Sequence, residues 1–374
     1  MRSLVLTDFR NYATAAVEFA PGLNLVLGEN GQGKTNLVEA IAVLCGTGSH
    51  RGATGEAMVR LGAERAIVSG AGRDSGRDVR VDAEVKRAGG TRLLVNRVPV
   101  ERHGGMPMVA VAFSPDDLVI VKGPPDERRR LLDQGAARLR VLAGAERQEF
   151  ERVLRQRTGL LKAAVNSRRA LATLDVWDES FARTGAVVIR NRLAVLERLL
   201  PEVQRRYGSL AGPGAEVDLQ YRPTWVTPED LPPAGEGRTA AVTEGLVAAL
   251  AAARGRDLER GVSTVGPHRD DVEVRLNGAD ARTYASQGEQ RSLALALRMA
   301  ERDLVAGERG EDPILILDDI FSELDDARRE HLVAMVAGSG QTIATATSGA
   351  GWPVGSGRAV ERMFLVDAGV VRVA

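Results

Sequence analysis

Residues 28–35 read GENGQGKT. The spacing is G-x-x-x-x-G-K-T, and each fixed position has a physical reason. Gly28, Gly31 and Gly33 let the backbone curl until successive N–H groups, those of Glu29, Asn30 and Gln32 among them, point at one set of anionic oxygens. A helix starting directly after the loop adds the positive end of its dipole. Lys34 can reach the outer phosphates of a nucleoside triphosphate such as ATP, and the Thr35 hydroxyl can ligate Mg²⁺. The flanks agree with this reading. Leu23–Leu27 is a short apolar run of buried-strand type, and Thr35–Leu44 places Leu37, Val38, Ile41 and Leu44 at helical spacing. At this chain's own residue frequencies, chance would produce the pattern in on the order of one such chain in a hundred. Of 50 cations only four are lysines (Lys34, Lys86, Lys122 and Lys162), and one of them stands where the loop requires it.

A second stretch completes the chemistry. Pro313–Asp319 reads PILILDD, an apolar strand whose last carboxylate, Asp318, emerges at the carboxyl edge of a sheet, where ligands bind in α/β folds. Asp318 is the acid expected to share Mg²⁺ with Thr35, and Asp319 could orient an attacking water. Between the two stretches lies YASQGEQ, residues 284–290, opening a helical run. Ser286 with Glu289 three residues on makes a capping box. The same helix start offers a hydroxyl and free N–H groups to an anion. Both readings can hold at once, and a second anion site makes sense if it serves the nucleotide of another subunit.

Working outward, residues 1–115 carry strand patterns at Met1–Thr7, Ala16–Phe19, Ala66–Ser69, Val79–Val85, Arg92–Asn96 and Val109–Phe113. Residues 126–206 show long Leu/Arg/Glu periodicity with few glycines, which predicts three or four helices. A turn-rich stretch around Pro228–Gly237 follows, then a helix over Thr239–Gly261, a strand at Val272–Leu276, an Asn277-Gly278 turn and a helix over Ser292–Leu304. The pattern predicts an α/β domain made of residues 1–115 and 262–374, interrupted by a mostly helical arm at 116–261. The 374 residues are 44% apolar and 27% charged, with 50 Lys+Arg against 50 Asp+Glu, which excludes wholesale disorder and a uniformly basic coat protein. Cys45 is the single cysteine, so no intrachain disulfide forms and a reducing compartment fits. With neither a secretion signal nor a run approaching 18 apolar residues, a cytoplasmic location is the expectation, with no membrane partner.

The set GENGQGKT, ASQGEQR and LILDDIFSELD resembles the ATP-binding-cassette heads of SMC-like DNA repair ATPases, and among them the RecF family of recombination mediators. DFRNY at 8–12, FSPDDL at 113–118, PPDERRRLLD at 124–133 and GPHRDD at 266–271 extend the resemblance over nearly the whole chain in order. It implies an ABC-type ATPase head with a helical arm. It also implies that Ser286, Gln287, Gly288 and Glu289 form a signature motif facing the γ-phosphate held by a second subunit, so that ATP joins a head-to-tail homodimer. Ser322 and Asp325 match the D-loop of that interface. Arg10, Asn11 and Tyr12 lie where relatives approach the base and ribose. His268 and Arg269 match a family hallmark without an evident mechanism. Some features depart from the general cassette pattern. Gln287 replaces a common glycine, Asp319 stands where Glu usually polarises the water, no histidine occurs in QTIATATS at 341–348, and no glutamine follows Phe113. Thr345 or Thr347 must substitute for the histidine, or that role is absent. These departures argue for a weak, switch-like ATPase.

Charge distribution raises the question of DNA. Residues 126–170 hold 12 Lys+Arg against 6 Asp+Glu, whereas residues 301–330 hold 4 against 11. A basic helical arm can track duplex phosphates, and Arg128, Arg129 and Arg130 are the candidate contacts. With only 14 aromatic residues, a base-stacking platform for single strands is not indicated, and duplex or a gap junction is the expected form. The resemblance implies RecR and RecO as partners and promotion of RecA loading in gap repair, the SOS response and replication. Two other classes stay open on the residues alone: the ATPase subunit of a transporter, and a nucleotide-gated scaffold with negligible hydrolysis.

Overall fold

The computed structural model describes residues 1–49, 51–100, 106–164, 168–212, 214–320, 326–337, 340–347 and 360–374. The chain divides into two compact units, residues 1–118, 209–212 and 294–374, and residues 119–208 and 213–293.

The first unit is α/β. In chain order it begins β1 (Ser3–Phe9), β2 (Tyr12–Glu18), β3 (Leu23–Leu27), α1 (Lys34–Leu44), α2 (Gly55–Met58), β4 (Arg65–Asp74), β5 (Arg77–Lys86), β6 (Thr91–Val95), β7 (Val98–Val100) and β8 (Ala110–Phe113). The second unit follows with α3 (Val119–Lys122), α4 (Pro125–Leu139), α5 (Ala143–Ala164), α6 (Arg168–Ala211), β9 (Val217–Arg222), α7 (Arg238–Arg260), β10 (Asp271–Leu276), β11 (Ala279–Asp280) and α8 (Ala281–Tyr284). The helix α9 (Gln287–Arg309) leads back to β12 (Ile314–Leu317), α10 (Asp326–Ala337), β13 (Thr342–Ala346), β14 (Arg362–Asp367) and β15 (Val370–Val373).

Two six-stranded sheets form the first unit. One is antiparallel, in the order β2-β1-β4-β5-β6-β7. Its strands alternate as a half-covered sheet must: Val79, Val81, Ala83 and Val85 of β5 are buried while Arg80 and Lys86 are exposed. The other runs β15-β14-β3-β13-β12-β8, and β14, β3, β13, β12 and β8 are mutually parallel. Its central strands (LNLVL, ILIL) are apolar apart from Asn24, whose buried amide is hydrogen-bonded to Ala20 and Gly22, because both faces are covered. The helix α1 contacts strands of both sheets, and Leu4, Ile41, Val68, Val81, Ile316, Ile343 and Phe364 belong to one continuous core. Parallel pairing of Leu27 with Ala346 and of Leu317 with Ala344 and Phe113 brings the carboxyl ends of β3, β13, β12 and β8 to one edge.

The second unit packs α3–α7 with a three-stranded antiparallel sheet, β11-β10-β9. Its division from the first unit falls at 293/294, whereas the sequence reading placed it at 261/262. The reason is a pairing that periodicity does not reveal. β9 falls between the predicted helices, which end at 206, and the turns at Pro228–Gly237, and it aligns with β10 from Val217 opposite Leu276 to Arg222 opposite Asp271.

Candidate functional site

The loop after β3 is built from its glycines and from the strands behind it. Gly33 has φ 120°, and a Cβ there would stand 2.6 Å from Asn11 Nδ2 and 2.9 Å from the Tyr12 hydroxyl, so the position admits glycine alone. The Tyr12 hydroxyl, buried, donates to the Gly33 carbonyl at 2.8 Å, and Asn11 Nδ2 donates to the Gln32 carbonyl at 2.8 Å. The turn between β14 and β15 grips the same residue: Ala368 N–H donates to Gln32 Oε1 (2.7 Å) and Gly369 N–H to its carbonyl (3.1 Å). Sequence reasoning assigned no structure to residues 362–373. Asp367-Ala368-Gly369 between the strand-like runs RMFLV and VVRV was the available hairpin signal. Glu29, Asn30 and Gly31 remain on the exposed rim. No side chain caps α1 at Gly33, so its first-turn N–H groups face the loop without a side-chain acceptor.

Lys34 begins α1, buried, with its ammonium on the carbonyls of Gly28 (2.6 Å) and Glu29 (3.0 Å). Burial draws its pKa below the ordinary lysine value, against the pull of Asp319, Asp318 and Glu29. A cation in that condition gains from an added anion, and a polyphosphate supplies one. Next to it, Thr35 Oγ1 donates to Asp318 Oδ1 at 3.1 Å, which joins the loop to the end of β12. Thr345, at the end of β13 between them, donates to the same carboxylate oxygen at 2.7 Å and accepts the Asp319 N–H at 2.9 Å. Asp319 itself lies in the left-handed region (φ 51°), a conformation uncommon for a non-glycine residue and concentrated at functional sites. A hydroxyl and a carboxylate meeting beside an anion cradle are the oxygen donors that Mg²⁺ takes with a phosphate. Among the described residues no group of three or more His, Cys, Asp or Glu could hold a metal alone, so such an ion would lean on nucleotide oxygens. The loop, Lys34, Thr35, Asp318 and Asp319 are thus brought together, and Thr345 joins them as the hydroxyl that links the Asp318 carboxylate to the Asp319 backbone.

Other expected residues take different places. Arg10 was read as approaching a base. Instead its guanidinium forms a two-pronged pair with buried Glu39 of α1 (2.7 Å on each prong) and donates to the Ala57 carbonyl (2.8 Å). It braces the helix from behind. Asn11 couples to Asn36 as well as Gln32, so it too supports the loop. The Ser286 N–H donates to Glu289 Oε2 at 2.7 Å and the Ser286 hydroxyl accepts the Glu289 N–H at 3.3 Å, the reciprocal capping box read from the sequence. Ser286 and Gln287 are exposed at that helix start. Ser322 and Asp325 lie outside the described residues.

The DNA-contact reading of the RRR run needs correction. Arg128 is buried: it pairs with Asp271 (2.8 and 2.9 Å) and donates to the Gly123 carbonyl (2.9 Å), which clips α4 to β10. Arg129, half-buried, donates to the Asp270 carbonyl at 2.6 Å. Helical spacing turns these two toward the unit, where Arg128 spends its donors on Asp271 and nearby carbonyls and Arg129 one of its own on Asp270. Only Arg130 is exposed, paired to Glu127 at 3.0 Å. GPHRDD is the receiving end of this network. Arg192 reaches the Pro267 carbonyl, Asp270 accepts from Tyr221 and Thr224, and His268 packs edge-on to Phe181. Among the described residues no helix is long and apolar enough to cross a membrane.

Comparison with known proteins gives these residues a context. The model of the RecF/RecN/SMC N-terminal domain matches residues 1–350. The chain is 43% identical over 353 residues to the DNA replication and repair protein RecF of Streptomyces avermitilis, covering 92% of each. It is 43% identical over 363 residues to the protein so named from Clavibacter michiganensis subsp. michiganensis, covering 92% of this chain and 90% of that one. A solved structure of the recombination mediator protein RecF with ATP, in the RecFOR pathway, superimposes with a TM-score of 0.89 at 29% identity, covering 100% of this chain and 97% of that one. An Smc head bound to the C-terminal winged-helix domain of ScpA shares the fold, with a TM-score of 0.55 at 17% identity over 100% of this chain and 96% of that one. Matched so nearly end to end, in sequence and in fold, the chain belongs to the RecF family within the RecF/RecN/SMC group.

Proposed function

We propose that this chain is an ATP-dependent DNA-binding protein that acts as a recombination mediator. In this reading the backbone of residues 28–35 cradles a triphosphate, and Lys34 meets its outer phosphates. Thr35 and Asp318 hold Mg²⁺, and Asp319 orients the water that attacks. Bound ATP supplies a phosphate chain that two heads can share and a bond whose hydrolysis separates them. Ser286 and Gly288 of one copy then face the γ-phosphate held by the other. Thr345 directs the Asp318 carboxylate and anchors the Asp319 backbone, which helps a short Asp serve where a longer Glu is common. Turnover is weak and switch-like.

The observation that carries this reading is the Thr35–Asp318–Thr345–Asp319 chain of hydrogen bonds at the edge where β3, β13 and β12 end. Similarity over 92% of the chain to proteins named for DNA replication and repair disfavours the transporter reading. By the same kinship we place the paired heads on duplex DNA near a single-strand gap, working with RecR and RecO to promote RecA loading, in the reducing cytoplasm. With Arg128 and Arg129 withdrawn, Arg155 and Lys162 join Arg130 as the candidate DNA contacts. Arg155 and Lys162 are exposed on α5 and, seven residues apart, share one helix face. The direct test is Lys34→Ala, which should abolish ATP-dependent pairing of the chain. Unchanged ATP affinity and unchanged pairing would overturn the site.

A further inference from the structure

Tyr284 is the exposed aromatic that the nucleotide site leaves unused. Its residue is 76% exposed, whereas Tyr12, Tyr207 and Tyr221 are at most 5% exposed. No other aromatic residue among those described falls in the exposed class.

The segment that carries the ring is held in place. Tyr284 ends the short turn α8, which Asp280 caps by accepting the Arg282 N–H (3.1 Å) and the Thr283 hydroxyl (2.8 Å). From the far side, buried Gln290 of α9 donates to the carbonyls of Ala281 (3.1 Å) and Arg282 (3.3 Å). The segment that carries Tyr284 is therefore fixed to the same helix start that presents Ser286, two residues on. Its neighbours Arg282, Thr283, Ser286 and Gln287 are polar and exposed, so the ring is not part of an apolar patch that a protein surface would cover. A flat ring in a polar frame suits a flat aromatic partner with polar edges, which describes a nucleobase.

Among the described residues the first unit supplies no such ring to its own loop. Its described aromatics Phe9, Tyr12, Phe19, Phe113 and Phe364 are buried. Arg10, the residue read from sequence as nearest the base, is committed to Glu39 and Ala57. We infer that Tyr284 of one copy stacks on the adenine of the nucleotide held by the other copy, so that the pairing of heads reads the base as well as the γ-phosphate. This rests on the head-to-tail reading of Ser286 proposed above.

The test is pairing measured by sedimentation for the wild type, Tyr284→Ala, Tyr284→Phe and Ser286→Arg. Each is run with a slowly hydrolysed ATP analogue and with ribose 5′-triphosphate, which lacks the base. Stacking of one base corresponds to roughly a tenfold change in an equilibrium constant, and a pair contains two such stacks, so Tyr284→Ala should weaken ATP-driven pairing about a hundredfold. Tyr284→Phe should stay near wild type. Binding of the analogue to the monomer should be unchanged by either variant, and Tyr284→Ala should have no effect on whatever pairing the base-free triphosphate supports. If the wild type pairs and Tyr284→Ala pairs equally well, the inference is overturned alone. If Tyr284→Ala weakens pairing equally with both nucleotides, the ring contacts protein and the base is not its partner. If the wild type does not pair, or Ser286→Arg pairs like wild type, the head-to-tail reading fails and the inference with it.

Discussion

At the scale of single residues, the site turns on one hydroxyl that no motif marks. Thr345 donates to Asp318 and accepts from the Asp319 N–H, so removing its hydroxyl leaves a carboxylate oxygen and a backbone donor each short of a partner. Thr345→Val should cost about 1–3 kcal/mol in stability by chemical unfolding, because buried polar groups without partners are destabilising. Phosphate release should fall roughly tenfold or more while monomer ATP affinity changes little, and Thr345→Ser should restore both. Equal turnover in Thr345→Val would show that the bridge does not position the acids. Lys34, Thr35, Asp318 and Asp319 were legible because their motifs fix residue type and spacing together. Thr345 was legible only as one of two candidates, since QTIATATS alternates threonines and only strand register decides which one meets Asp318. The partner of Arg10 was hidden for a similar reason. The sequence neighbours of Arg10 say nothing of Glu39, 29 residues on, which captures it.

At the scale of elements, the strands and helices with strong periodicity were readable and those defined by distant pairing were not. Leu23–Leu27 and the helix after it coincide with β3 and α1 almost to the residue. β9 was hidden because its partner β10 lies about fifty residues further on, and the RRR run was misjudged because charge on a helix does not say which way the helix faces. The correction is testable. Arg128→Ala leaves the Asp271 carboxylate without its guanidinium and should destabilise the second unit by about 3–5 kcal/mol in thermal or urea unfolding, whereas Arg130→Ala should fall within about 0.5 kcal/mol of wild type. Comparable destabilisation by the two would mean that Arg128 is not the clip between α4 and β10. On α5, replacing Arg155 and Lys162 by Glu should weaken duplex binding and lower its salt slope by roughly one for each phosphate no longer neutralised, and an unchanged slope would move the DNA face elsewhere.

GPHRDD adds a pH dependence to the same unit. Burial lowers the pKa of His268 from 6.5 to about 4, with Arg269, Arg129 and Arg157 adding to the effect and the Ser263 carbonyl opposing it. Between those values the unfolded chain binds a proton that the folded chain refuses. The contribution is therefore complete above about pH 6.5 and is lost as pH falls toward 4. From pH 7 to pH 5 the loss should be about 2 kcal/mol. His268→Phe should show a correspondingly smaller drop in urea midpoint over that interval, and an identical drop would remove His268 from the account.

At the scale of the whole molecule, the zero net charge conceals an acidic stretch around Asp318 and a basic stretch in the arm. The proposed activity needs both, one to hold a cation beside a nucleotide and the other to meet a polyanion. Neither stretch says how two copies meet, and that is the central claim: one nucleotide is held by residues 28–35 of one copy and by Ser286 of another. The most direct measurement is made on Ser286→Arg, comparing ATP affinity of the monomer with ATP-dependent pairing by sedimentation. The account expects monomer affinity close to wild type and pairing abolished. Loss of monomer affinity would put Ser286 at its own chain's nucleotide, and undiminished pairing would put it at no interface, and either result contradicts the claim.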